Sequence, residues 1–284
     1  MKTLFASLCL CCVLSFSVMA QTPTLTQVWE TDTTLTTPES VLYDTKNNVL
    51  YVSCINGKSV PENQTSFVAK LGLDGKVQQR IMTPGLNAIK GMGIIGNKLY
   101  TASFFAVNEI DLATGKVVNN YTVPDAKMLN DITIDSKNQT LYVTDMRANS
   151  VWKLQNGKLE KILEGGLLKN PNGLLYDNGK LLIGNGEGIL YSYDTKTKDL
   201  SKFAEGMGTE KSGIDGIESD GKKGYFVSEW RGRIWHVTPE GKPSLLLDTI
   251  DKPMNTADFS YVPGKKMLFV PTFLKNKVVA YKVN

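Results

Sequence analysis

The chain of 284 residues carries 32 Lys and Arg against 28 Asp and Glu, a formal net charge of +4, and a single histidine. Its positive charges are scattered among negative ones, with no Arg-rich or basic-aromatic cluster, which argues against nucleic acid as a partner. One histidine excludes a two-histidine dyad and makes a Ser-His-Asp triad a poor reading; His236 sits inside the apolar strand pattern IWHV, as a structural histidine would.

At the N-terminus Lys2 is the only charge in twenty residues, Leu4 to Val18 is apolar, and Val18-Met19-Ala20 before Gln21 has the small-residue spacing of a signal peptidase site. Residues 1–20 are therefore expected to be a signal peptide, and the protein to be exported, either periplasmic or secreted. The apolar run is shorter than the roughly 20 residues of a membrane-spanning helix, and no later stretch approaches that length, so no membrane span is expected. Cys9, Cys11 and Cys12 would leave with the signal. Cys54, in LYVSC, then stands without a disulfide framework and reads as a core or rim residue.

The segment Thr26 to Asp32, TQVWETD, has strand character but no unit of its own. After it a pattern repeats. First strands are ESVLYD from Glu39, KGMGII from Lys90, NDITID from Asn130, NGLLYD from Asn172, DGIESD from Asp215 and TADFSY from Thr256, at intervals of 51, 40, 42, 43 and 41 residues. Each is followed by a turn rich in Asp, Asn, Gly or Lys and a second apolar strand: VLYVSC, KLYTAS, TLYVTD, KLLIGN, GYFVSE and MLFVPT. Third strands such as SVWKL and GRIWHV, and fourth strands such as LEKILEG, complete the unit.

A repeat of about 40 residues holding four short strands is the signature of a β-propeller. The long first interval is accounted for by the insertion NGKSVPENQ between second and third strands. The last unit has three strands, so Thr26 to Asp32 is expected to supply its fourth and close the ring. Residues 21–284 thus read as one all-β domain, a six-bladed β-propeller with four antiparallel strands per blade, closed by an N-terminal strand.

Innermost strands of a propeller begin at the same end of the central channel, so equal register becomes spatial convergence. Glu39, Asn130, Asn172 and Asp215 should face one another there, with Lys90 and Thr256 at the same register in the second and sixth blades. Two carboxylates and two amide oxygens, without Cys or His, suit a hard divalent cation. Calcium is the first expectation, with magnesium, manganese or zinc as alternatives.

These strand starts, in this order and spacing across all six units, resemble the senescence marker protein (regucalcin) and gluconolactonase family, and more distantly the paraoxonases. The resemblance implies a divalent cation held in the channel by Glu39, Asn130, Asn172 and Asp215, and hydrolysis of small lactones or esters. It further implies that Asp215 acts as the catalytic carboxylate assisting water, with Asp131 beside the metal, supporting its ligands or touching the substrate. Members acting on sugar-acid lactones carry an arginine two residues before the Asn-Asp pair, where this chain has Met128; neutral or apolar lactones are therefore expected to be the better substrates. The paraoxonase histidine pair is absent. Substrate contacts are expected instead from second-strand ends and nearby loops, at Phe104, Asp145, Asn185, Glu229 and Trp230.

Two functions follow. The first is an exported, metal-dependent lactonase or esterase; the second is a non-catalytic propeller that binds a ligand or a protein and keeps calcium as a structural pin. The fold alone does not separate them, and nothing in the sequence sets the oligomeric state.

Overall fold

The computed structural model describes residues 22–208, 212–252 and 254–284; the expected signal peptide, residues 1–20, lies outside them. The chain forms six four-stranded sheets arranged as blades. The first holds β2 (Pro38–Asp44), β3 (Val49–Cys54), β4 (Ser66–Leu71) and β5 (Val77–Leu86), and the next four repeat this order, beginning with β6 (Met92–Ile95), β10 (Leu129–Asp135), β14 (Leu174–Asp177) and β18 (Ile214–Ser219). The expected six-bladed, all-antiparallel propeller is the fold observed.

The turns explain why the strands recur so regularly. At the end of β2 the Asp44 carboxylate accepts hydrogen bonds from the backbone N–H groups of Lys46 (2.9 Å) and Asn47 (3.0 Å), while Asn48 adopts a left-handed φ of 54°. Asparagine tolerates that conformation better than most residues, and the chain returns as β3. Asp135 and Asn138 repeat the device after β10, with Gln139 left-handed at φ 51°.

Ring closure is made by both ends of the described chain. Strand β1 (Leu25–Glu30) pairs antiparallel with β24 (Val278–Val283), from Leu25 opposite Val283 to Glu30 opposite Val279. Trp29 fastens this joint to the first blade: its indole N–H donates to the Leu73 carbonyl (3.1 Å), and its ring lies 5.7 Å from that of Phe269. This antiparallel seam completes the sixth blade with β1 as its outer strand.

The apolar core is a ring of clusters, each joining two neighbouring blades. Val52 and Phe67 of blade one meet Phe269 and Val278 of blade six, and Leu182 and Leu190 of blade four meet Ile214 and Val227 of blade five. Burial of each such side chain contributes roughly 1.5–3 kcal/mol, so stability is spread around the circle. Cys54 is a buried free thiol within the first of these clusters. His236 is half-buried, with Nε2 2.9 Å from Asp220 Oδ2 and its ring against Phe226. Among the described residues no helix is long and apolar enough to cross a membrane.

One register differs from the sequence reading. In β22 (Ser260–Val262) Val262 pairs with Met267, as Asp44 pairs with Val49 in the first blade, which puts Ala257, not Thr256, level with Glu39. The bridge between Ser40 and Asp258 says the same. Thr256 instead turns into the fifth blade, its hydroxyl donating toward the carbonyls of Glu229 (2.8 Å) and Arg233 (3.0 Å).

Candidate metal and substrate site at the channel mouth

The first strands of neighbouring blades touch along the channel through their backbones. Gly91 N–H donates to Asn130 O (3.1 Å), Gly173 N–H to Ile214 O (3.3 Å) and Asp258 N–H to Glu39 O (3.1 Å). Glycine is required where this approach is closest: a Cβ at Gly91 would lie 2.6 Å from the Asp131 Cα, and one at Gly173 would lie 2.4 Å from the Asp215 carbonyl oxygen. Tight blade contacts thereby fix one level above them, where Glu39, Lys90, Asn130, Asn172, Asp215 and Ala257 stand. The first five line a single cavity of about 450 Å³, together with Ser59, Met128, Met146, Asn170, Ser212, Trp230 and Phe273.

Within this cavity Asn172 Nδ2 donates to Asp215 Oδ1 (2.8 Å), which orients the Asn172 amide and sends its Oδ1 the other way. That Oδ1 and Glu39 Oε2 are buried acceptors without a hydrogen-bond partner among the described residues. Leaving such atoms unsatisfied costs about 1–3 kcal/mol each, so their chemistry calls for a cation or donor between them. Asn130 is also buried, its Nδ2 directed at Met146 Sδ (3.7 Å). Lys90, 2% exposed, donates from Nζ to Ser59 Oγ (2.7 Å) in the insertion of the first blade.

Burial dominates the electrostatics. It raises Glu39 well above the ordinary carboxylate range, with Lys90 pulling it back and Asp215 and Asp258 adding to the rise. Asp215 is raised by burial, against the lowering effects of the Asn172 hydrogen bond and Lys90. Lys90 is lowered by burial, while Glu39 and Asp215 oppose the shift. The carboxylates and the ammonium thus offset part of the burial that disfavours the charged form of each.

Of the six residues expected to touch substrate, Trp230 lines the cavity. Phe104 lies beneath it, packed with Ile55, Ala88 and Met128, its ring 5.6 Å below Lys90 Nζ. Asp145 is fully buried with both oxygens committed to backbone: Oδ2 accepts from Lys127 N–H (2.8 Å), Oδ1 from Met128 N–H (2.9 Å) and Ala148 N–H (3.1 Å). Asn185 likewise holds a turn, its Oδ1 accepting from Glu187 N–H (3.0 Å) and Ile189 N–H (3.2 Å). Glu229 is buried behind the wall, close enough for its charge to raise Asp215. Asp131 points down the channel, its carboxylate accepting from Ile132 N–H and Leu174 N–H, both at 2.6 Å.

Below that level lies a second cavity of about 360 Å³, lined by Asp131, Glu218 and Asp258 among others. Asp258 Oδ2 accepts from Ser40 Oγ (2.5 Å), and Glu218 Oε1 from Ser260 Oγ (3.2 Å). Burial first, then Asp258, pushes Glu218 up to about 8. Because its folded pKa lies above the unfolded value of about 4.3, Glu218 adds stability that is complete below pH ~4.3 and is lost as pH rises through about 8. Metal-free protein should accordingly melt several degrees lower, roughly 5 °C, at pH 8.5 than at pH 5. Calorimetry of Glu218→Gln should show a distinctly shallower decline; an equal slope in the two proteins would remove Glu218 as its source.

No protein-family model matches the chain, and no curated protein matches it. Solved structures do resemble it. A catalytically inactive virginiamycin B lyase from Staphylococcus aureus with quinupristin superposes with a TM-score of 0.65 at 13% identity, over 92% of this chain and 99% of that one. A streptogramin B lyase gives 0.65 at 14% identity over 92% and 98%. A luciferin-regenerating enzyme gives 0.64 at 15% identity over 93% and 95%. Likeness at such identities is a likeness of fold.

Proposed function

We propose that the protein is an exported, divalent-metal-dependent hydrolase of small lactones or esters, acting at the channel mouth. The observation that carries this reading is the convergence of Glu39, Asn130, Asn172 and Asp215 on one cavity, with Glu39 Oε2 and Asn172 Oδ1 buried and unpartnered among the described residues. Export rests on the pattern of residues 1–20. That the structural neighbours are named as enzymes adds support for catalysis of some kind.

The donor set fits a hard cation. Two carboxylates and two amide oxygens suit calcium or magnesium better than zinc, which favours imidazole and thiolate; among the described residues no three His, Cys, Asp or Glu side chains cluster as a metal site. A cation held by these four residues would act as a Lewis acid, polarising the substrate carbonyl.

The rest falls to the protein. Asn172 fixes Oδ1 of Asp215, and Oδ2 is the atom that takes a proton from the attacking water. Water oxygen bonds to the carbonyl carbon, the carbon–oxygen bond to the leaving group breaks, and the proton held on Asp215 passes to the released alkoxide. Trp230 and Phe273, packed edge to face at 5.5 Å, orient the substrate and exclude bulk water on one side.

A panel of lactones and aryl esters, assayed with calcium and after chelation, tests this directly. Turnover that disappears on chelation and returns with calcium is expected. Metal-loaded protein that hydrolyses none of them, yet binds a ligand at the mouth, would favour the non-catalytic propeller.

A further inference from the structure

We propose that Lys90 selects the substrate, and that the preferred substrates are small monoanions carrying a carboxylate on one side and an apolar, aromatic group on the other. This rests on the mouth cavity being the substrate site, and it names the class of molecule that site takes.

Lys90 is among the largest fully buried side chains of the protein. Its ammonium has three N–H donors, and the neutral Ser59 hydroxyl is its only hydrogen-bond partner among the described residues. Buried ammonium groups are ordinarily paired with an anion, because removing an isolated charge from water is costly. Glu39 and Asp215 act on it through space. Once those two carboxylates hold a divalent cation, the charges at this level sum to +1, and a monoanion entering the cavity restores neutrality.

The surroundings say where that anion goes and what is attached to it. The Arg147 guanidinium lies 5.9 Å from the centre of the same Phe104 ring that Lys90 covers at 5.6 Å, and its charge acts on Lys90, so a second cation stands near the ammonium. Trp230, in the fifth blade and three blades from Lys90, makes an aromatic wall with Phe273 of the sixth blade, which also packs against the Phe104 cluster. The cavity thus presents a buried cation at Lys90 and an aromatic wall at Trp230. Met128 in place of an arginine suggests neutral substrates when read from the sequence, but the positive charge has been supplied from the second blade.

Phenylacetate and its uncharged counterpart phenylacetamide are suitable probes, titrated into calcium-loaded protein while Trp230 fluorescence is followed, with Trp230→Phe identifying the signal. Wild-type protein should bind phenylacetate about tenfold or more tightly than phenylacetamide, a margin expected of charge-assisted hydrogen bonds. Lys90→Met, which keeps most of the unbranched stem and removes the charge, should bring the ratio close to one while leaving phenylacetamide binding within about twofold. A ratio unchanged in folded Lys90→Met would overturn the proposal and leave Lys90 as a structural counter-charge. Should that variant not fold, the wild-type ratio decides: a value near one, or binding of neither probe, overturns it. Hydrolysis of lactones with no preference for charged members would keep the hydrolase reading and remove this one. Selective phenylacetate binding by a protein that hydrolyses nothing would do the reverse.

Discussion

Replacing Asp215 by asparagine is expected to lower kcat on the best lactone or ester by about a hundredfold or more, the range found when a positioned general base is lost. The substitution preserves shape but removes both a negative charge at the cation-binding level and the oxygen that takes the proton. Asn172 Nδ2, which donates to Asp215 Oδ1 at 2.8 Å, would then face either an amide oxygen or an amide N–H. Trp230→Ala should behave differently, raising KM severalfold with a smaller change in kcat, because it touches substrate away from the reacting carbon. Asp145→Asn provides a third contrast. Its oxygens hold three backbone N–H groups, so the damage should appear as about 1–3 kcal/mol of lost stability, with steady-state constants of the folded fraction little altered. Steady-state kinetics and melting curves on the three variants separate these outcomes. Equal kcat in wild type and Asp215→Asn would end Asp215's role as base.

The second large effect concerns stability. A ligand that binds the folded state alone stabilises it by about 2.7 kcal/mol at a hundred times its dissociation constant, which in a chain of this size is a rise of roughly 5–10 °C in Tm. Calcium added to chelated protein should produce a rise of that order. Glu39→Gln keeps the side chain's shape and one oxygen but halves the carboxylate charge at this level, and calcium should then shift Tm by less than about 2 °C at the same concentration. Calorimetry with and without calcium checks both. A melting temperature indifferent to calcium in the wild type, or the same rise in Glu39→Gln, would contradict the assignment.

Much of the architecture was legible because it is local chemistry repeated. An Asp at the end of the first strand, followed by an Asn or Gln that turns left-handed, marks the same turn in the first, third and fourth blades, and Asp44 and Asp135 carry it out as the pattern implies. Blade six slipped by one residue because its first strand opens without an Asn or Asp to anchor the register. Its only carboxylate, Asp258, faces Ser40 one level further in. The convergence of the four oxygen-bearing residues on one cavity follows from strand register and needed nothing else.

The walls were harder to read, for a physical reason. Repeat spacing locates the end of a second strand but not the direction its side chain takes, and Asp145 and Asn185 turn back to hold the loops that follow them. Phe273 sits in a one-turn 3-10 helix, Phe273–Lys275, that no repeat announces. Lys90 was visible as a position, yet its meaning depends on Ser59, which reaches it from an insertion 31 residues earlier.

The most direct test of the central claim is a crystal structure of the protein grown with calcium, recorded at a wavelength where calcium scatters anomalously. A single strong anomalous peak is predicted in the upper cavity, in contact with Glu39 Oε2, Asn172 Oδ1, Asn130 and Asp215. A channel without a peak at that level, or a peak only in the lower cavity that Asp131, Glu218 and Asp258 line, would contradict it.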